Sequence, residues 1–96
     1  MSRIVYVNGA YVPEEEARVS VFDRGFLFAD GVYEVTSVLG GKLIDFAGHA
    51  ARLKRSLGEL EMAAPVDDET LLDIHRELVA RNGIEDGLVY LQVTRG

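Results

Sequence analysis

Gly31-Val32-Tyr33-Glu34-Val35-Thr36-Ser37-Val38-Leu39-Gly40-Gly41-Lys42-Leu43-Ile44-Asp45-Phe46 is the stretch that decides the fold. Val32, Val35 and Val38 are β-branched, and Tyr33 and Thr36 also favour extended backbone. Apolar residues fall on both faces, which predicts a central strand over Gly31–Leu39. Gly40-Gly41 turns the chain, and Lys42 to Ile44 pairs back as a hairpin. At Asp45 the period changes. Phe46, Ala50, Leu53, Leu57 and Leu60 step by four, three, four and three residues, which is one helical face with Asp45 as its N-cap.

Upstream, Arg3 to Val7 reads as a strand. Asn8-Gly9 follows, a two-residue hairpin signal because both positions tolerate positive φ. Tyr11-Val12 starts the return strand, and Pro13 is expected to end its ladder. Glu14-Glu15-Glu16 reads as a solvated turn. Val19, Val21 and Phe22 suggest a short strand. In Asp23-Arg24-Gly25-Phe26-Leu27-Phe28-Ala29-Asp30-Gly31, turn formers bracket large apolar residues, which predicts a structured loop with Phe26 and Phe28 tucked inward.

Downstream, Met62 to Val66 is a connector containing Pro65. Asp67 caps a second helix with the stripe Leu71, Ile74, His75 and Leu78, which Asn82-Gly83 ends. Leu88 to Thr94 is strand-like again. Two successive helices flanked by antiparallel hairpins predict an α+β fold, an antiparallel sheet with two helices, rather than a doubly wound parallel sheet. The sequence stops at Thr94-Arg95-Gly96, on the end of an apolar strand, which leads us to expect a larger parent protein.

Composition narrows the function. The 96 residues are 48% hydrophobic and 27% charged, and 16 acids against 10 bases give a net charge of −6. This suits a small globular domain and argues against a nucleic-acid partner, which calls for a basic face. No apolar run approaches the roughly 18 residues of a membrane span, and the N-terminus lacks a signal-peptide pattern. The absence of cysteine excludes disulfides, Fe–S clusters and thiolate zinc sites. His49 and His75 are too few for a histidine-only metal site, and this composition fits the cytoplasm.

Several residues could carry chemistry. His49 and Arg52 are three apart and project from one side of the first helix. A guanidinium near a helix start suits a phosphate, because its fork makes paired charge-assisted bonds and stays charged. The plainer alternative is a surface arginine paired with Asp45 or Glu59. Tyr33 is either a ligand contact or a half-buried strand tyrosine with a wet hydroxyl. Glu34 could be a catalytic carboxylate, although a strand glutamate facing solvent is the commoner case. His75 lies on a core stripe and reads as structural. Arg95 pairs with an acid or simply ends a strand.

These motifs together resemble the class IV aminotransferases, the fold-type IV pyridoxal-phosphate enzymes. Asp23 to Val35 is similar to their DRGxxxGDGxYE signature, with Ala29 where the family usually has glycine. Val7-Asn8-Gly9 matches their hairpin, His49-Ala50-Ala51-Arg52-Leu53-Lys54-Arg55-Ser56 their HxxRLxxS helix, and Gln92-Val93-Thr94-Arg95-Gly96 their QVTRG strand. The motifs keep the family order and span nearly the whole chain. The wording Asp30-Gly31-Val32-Tyr33-Glu34-Val35 is most similar to D-amino-acid aminotransferases, since branched-chain members usually carry phenylalanine in place of this tyrosine.

The resemblance implies roles. Arg52 would bind the phosphate of pyridoxal phosphate. Tyr33 would help hold the substrate carboxylate, Val35 would line the pocket, and Arg95 would be structural. The reaction implied is exchange of an amino group between an amino acid, of the D series, and a 2-oxo acid, in a homodimer. Transamination needs a lysine amine to hold the coenzyme and shuttle the α-proton. Lys42 and Lys54 are the only lysines, and neither matches the family's. Residues 1–96 are therefore expected to be the N-terminal domain, with the lysine in a second, larger domain, and to be inactive alone. Two other readings stay open here: an aminodeoxychorismate lyase of the same fold, and a non-enzymatic dimerisation or binding module.

Overall fold

A computed structural model of the chain describes residues 2–96. Strands β1 (Ile4–Val7) and β2 (Ala10–Pro13) pair antiparallel across Asn8-Gly9, whose φ angles are 48° and 95°. Two positive φ values are what a tight hairpin turn demands. Pro13 is the last residue of β2, opposite Ile4. The Ile4 N–H and C=O point away from β2, to the side chain of Asn82. This pair is thus a non-hydrogen-bonded one, and the proline removes nothing from the ladder.

The predicted central strand is β3 (Gly31–Leu39), which lies between β4 (Lys42–Leu43) and β5 (Gly87–Thr94) in an antiparallel sheet. The β-structure is therefore two sheets rather than one. β5 pairs with β3 from Gly31 to Val38, setting Tyr33 opposite Gln92 and Val35 opposite Tyr90. β4 reaches only Val38 and Leu39. Alternation along β3 buries Glu34, Thr36 and Val38 and leaves Tyr33, Ser37 and Leu39 exposed.

Two long helices cover the buried face. Helix α2 (Phe46–Glu59) buries Ala50, Leu53 and Leu57 from its predicted stripe, and α3 (Asp68–Asn82) buries Ile74, His75 and Val79. Val38, at 0% exposure, meets Val79 and Val89, with Leu43, Leu78 and Ile84 around them. Each fully buried aliphatic side chain of this kind contributes about 1.5–3 kcal/mol. Asp67 caps α3 by accepting from the Thr70 N–H at 2.7 Å, and Gly83 closes it with φ of 58°. Asp45 departs from expectation: it takes the left-handed conformation itself, φ 55°, and its side chain caps nothing. Its carboxylate lies over Gly48 instead, in space a Cβ there would need.

The segment before β3 also differs from the reading of its sequence. Val19, Val21 and Phe22 form no strand, and Arg24–Phe28 is a third helix, α1. The Asp23 carboxylate accepts from the Gly25 N–H at 2.8 Å and so starts the helix locally. Phe26 and Phe28 are not tucked in; they are 71% and 73% exposed. The reason is the side α1 turns to β5. Gly25 sits against Thr94, where any Cβ would collide, so the glycine packs and the phenylalanines face out.

Candidate functional site

The signature loop and the end of β5 are tied to each other by side chains. Asp23 accepts from the Thr94 hydroxyl at 3.0 Å, and the Arg95 Nε donates to Asp30 at 2.7 Å. Arg95 also donates through Nη2 to the Leu60 carbonyl, and its backbone N–H reaches the Asp30 carbonyl. Gly31 passes so close to β5 that a Cβ would lie 2.8 Å from the Val93 carbonyl oxygen. Arg95 therefore pairs with an acid and joins three segments, one of the two plain readings of its sequence.

β3 leaves this knot with Tyr33 and Val35 on the open face of the sheet. Tyr33 is 62% exposed, and its ring stacks on Tyr90 at 5.7 Å between centroids. Leu39, Leu88 and Tyr90 are exposed beside it. The open face is thus aromatic and aliphatic, with the Tyr33 phenol at one end.

The other face carries the charge. Glu34, 5% exposed, takes three bonds: from Arg52 Nε at 2.8 Å, from Arg52 Nη2 at 2.9 Å, and from His49 Nδ1 at 2.8 Å. An ionised carboxylate only accepts, so the His49 proton in this bond is on Nδ1. The Arg52 bonds hold the Glu34 carboxyl below its usual pKa, outweighing the burial that would raise it, with His49 adding to the lowering. The guanidinium is in turn held above its usual range, first by the hydrogen bonds it donates to Glu34 and by the Glu34 charge, and slightly by the Tyr33 phenol. Among the described residues, Arg52 Nη1 and His49 Nε2 have no hydrogen-bond partner. No group of three or more metal-ligating side chains occurs among them either.

Arg52 is thus paired with neither Asp45 nor Glu59. Glu34 is the residue the sequence reading placed wrongly, as a solvent-facing glutamate. The period of two puts Glu34 on one face with Thr36 and Val38, but which face of β3 the helix covers is seen only in the fold. His75 is structural, as expected. It is 2% exposed, donates through Nδ1 toward the Leu71 carbonyl at 2.8 Å, and sits edge-on to Phe46. Lys54 lies at the surface, 3.9 Å from Asp68, and Lys42 is exposed on β4.

The Amino-transferase class IV family matches residues 31–96. The chain belongs to that family. Among class IV relatives, the D-alanine aminotransferase of Staphylococcus haemolyticus is 40% identical over 92 residues, covering 96% of this chain and 33% of that protein. That of Listeria monocytogenes serotype 1/2a is 44% identical over 92 residues, covering 96% and 32%. The chain spans about a third of the length of the curated relatives it matches. A branched-chain amino acid aminotransferase of T.th., solved with pyridoxamine 5'-phosphate, superposes with a TM-score of 0.92 at 26% identity. The match covers 100% of this chain and 33% of that one. The α+β architecture is therefore that of the N-terminal part of fold-type IV aminotransferases. The one departure from the class IV signature noted in the sequence, Ala29, falls at a left-handed position, φ 53°, where glycine would be unstrained.

Proposed function

We propose that this chain is the N-terminal domain of a pyridoxal-phosphate aminotransferase acting on a D-amino acid and a 2-oxo acid. The observation that carries the reading is the guanidinium of Arg52, charged, anchored on Glu34 and with Nη1 uncommitted. Identity of 40–44% to D-alanine aminotransferases, against 26% to the branched-chain structure, supports the D-amino-acid assignment. Tyr33 on the open face agrees with it.

The donor chemistry fits a phosphate ester. Arg52 would bind it through charge-assisted bonds from Nη1, and the fixed charge needs no titration at working pH. Pyridoxal phosphate supplies the electron sink for the α-carbanion when bound. Tyr33 would donate its phenol proton to a substrate carboxylate oxygen without adding charge. Val35, on the same face, would limit the room for the substrate side chain. The amine that moves the α-proton belongs to a second domain, since Lys54 turns to Asp68 and Lys42 lies on the edge strand β4. Residues 1–96 alone would then hold half a site and turn nothing over. The exposed apolar side chains of Leu39, Leu88 and Tyr90 support a homodimer of two-domain subunits, in which such surface is covered. No helix among the described residues is long and apolar enough to cross a membrane, and the cysteine-free composition supports a cytoplasmic enzyme.

The test uses the full-length protein. D-Alanine with 2-oxoglutarate should yield pyruvate and D-glutamate, and Arg52→Ala should release the yellow coenzyme. Pyruvate released from aminodeoxychorismate without a 2-oxo acid would replace this reading with the lyase. A full-length protein that neither binds the coenzyme nor exchanges amino groups would overturn it outright.

A further inference from the structure

Glu34 poses a problem for a phosphate grip. A carboxylate beside the gripping guanidinium cancels its charge and repels an incoming dianion. It must contribute something other than attraction, and the geometry shows what. Its two oxygens face Arg52 Nε and Nη2 at 2.8 and 2.9 Å, which is the paired fork that fixes the plane of a guanidinium. His49 takes a third acceptor position at 2.8 Å and helps keep the carboxylate ionised. Glu34 is itself held in the central strand and is 5% exposed, whereas the Arg52 side chain is 57% exposed. An arginine that exposed, on a flexible stem, would otherwise sample many rotamers and give up that freedom on binding. The edge left over, Nη1, is aimed away from the fork.

We propose that Glu34 is a positioning residue: a buried carboxylate that presets the Arg52 guanidinium so that its free edge receives a phosphate ester. The proposal rests on the reading in which Arg52 binds the coenzyme phosphate. Glu34 touches neither coenzyme nor substrate and acts through Arg52. Its effect should appear only with ligands that carry the phosphate.

The experiment titrates the full-length apoprotein with pyridoxal phosphate and, separately, with phosphate-free pyridoxal, following coenzyme absorbance. Wild type is compared with Glu34→Gln, Arg52→Ala and the double variant. Glu34→Gln should weaken pyridoxal phosphate about tenfold, the scale on which loss of an orienting partner weakens a gripping ligand. It should change pyridoxal less than about twofold, and it should add nothing in the Arg52→Ala background. If Arg52→Ala abolishes the preference for the phosphorylated ligand while Glu34→Gln leaves it intact or strengthens it, the positioning role is wrong and the phosphate assignment stands. If Arg52→Ala leaves the preference unchanged, both fall. Should Glu34→Gln fold too poorly to titrate, Glu34→Asp is measured instead. It keeps the charge and shortens the reach, so positioning requires weaker phosphate binding, and unchanged binding refutes it.

Discussion

Replacing Asn82 with alanine should release the β1–β2 hairpin from α3 and leave the three-stranded sheet in place. Asn82 makes three bonds. Its Oδ1 accepts from the Ile4 N–H at 2.8 Å, and its Nδ2 donates to the carbonyls of Ile4 at 2.9 Å and Leu78 at 2.8 Å. The bond to Leu78 stays within α3 and does nothing for docking. The other two satisfy both backbone groups of one partly buried strand residue. At about 1 kcal/mol net for each bond, the clamp holds the hairpin by about 2 kcal/mol. The other polar tie, Arg81 over the Tyr11 ring at 4.4 Å, is worth about 0.5–1 kcal/mol at the surface. A two-stranded hairpin is marginal alone, so loss of the clamp should appear as local opening. Alanine favours helix, so α3 itself should not suffer. In amide hydrogen exchange, the protected amides of Ile4 to Val12 should exchange about 30-fold faster, since about 1.36 kcal/mol is a factor of ten. Asn82→Asp, which keeps the acceptor but sets an anionic oxygen at the C-terminal end of α3 against the Ile4 and Leu78 carbonyls, should open the hairpin at least as far. Unchanged exchange in the hairpin, or an increase spread evenly over β3 and β5, would refute the clamp.

Two further outcomes follow from the same structure. Ala29→Gly should raise the thermal midpoint or leave it level, because relief of about 1–2 kcal/mol of left-handed strain is offset by about 0.4–1 kcal/mol of added unfolded-chain entropy; a clear drop in a melting curve would contradict the strained position. Burial holds the His75 pKa below its ordinary 6.5, with the bond to Leu71 opposing that and His49 adding to it. The unfolded chain therefore takes a proton near pH 6.5 that the folded chain refuses, so stability is full above that pH and falls as pH drops from there toward the folded value. Denaturant midpoints measured from about pH 8 to 5 should show this slope, and His75→Leu should flatten it.

Features fixed by neighbours in sequence were legible: Asn8-Gly9, Gly40-Gly41, the Asp67 and Gly83 caps, and the α2 stripe. Each depends on backbone freedom or period within a few residues. Helix α1 was not, because five residues carry no periodic stripe and its glycine is matched to Thr94 on the far side of the chain. Asp45 misled for a related reason. Its composition suits a cap, but the tight exit from β4 puts its own backbone in the left-handed region and turns the carboxylate onto Gly48. At the site, spacing gave His49 and Arg52 as a pair but could not give the third member. Whether Glu34 faces solvent depends on which face of β3 the helix covers, a tertiary fact.

That dependence gives a structural task to many of the signature residues, which tie β3 to β5 in one register. β3 carries two tasks on alternate residues: Tyr33 and Val35 on the open face, Glu34 on the covered one. A slip of one residue would exchange them, burying the phenol under α2 and exposing the carboxylate with nothing to hold Arg52. The pairing with β5 must therefore be pinned at both ends, and it is. At one end Asp23 and Asp30 hold Thr94 and Arg95, and Gly31 admits the Val93 carbonyl where no larger residue fits. At the other, the Asp86 side chain and the Glu85 carbonyl accept from the Gly40 and Gly41 N–H groups. The aspartates, arginine and glycines that look most like a catalytic motif are, in this chain, the fastenings that keep Tyr33 and Glu34 on their proper sides of one strand.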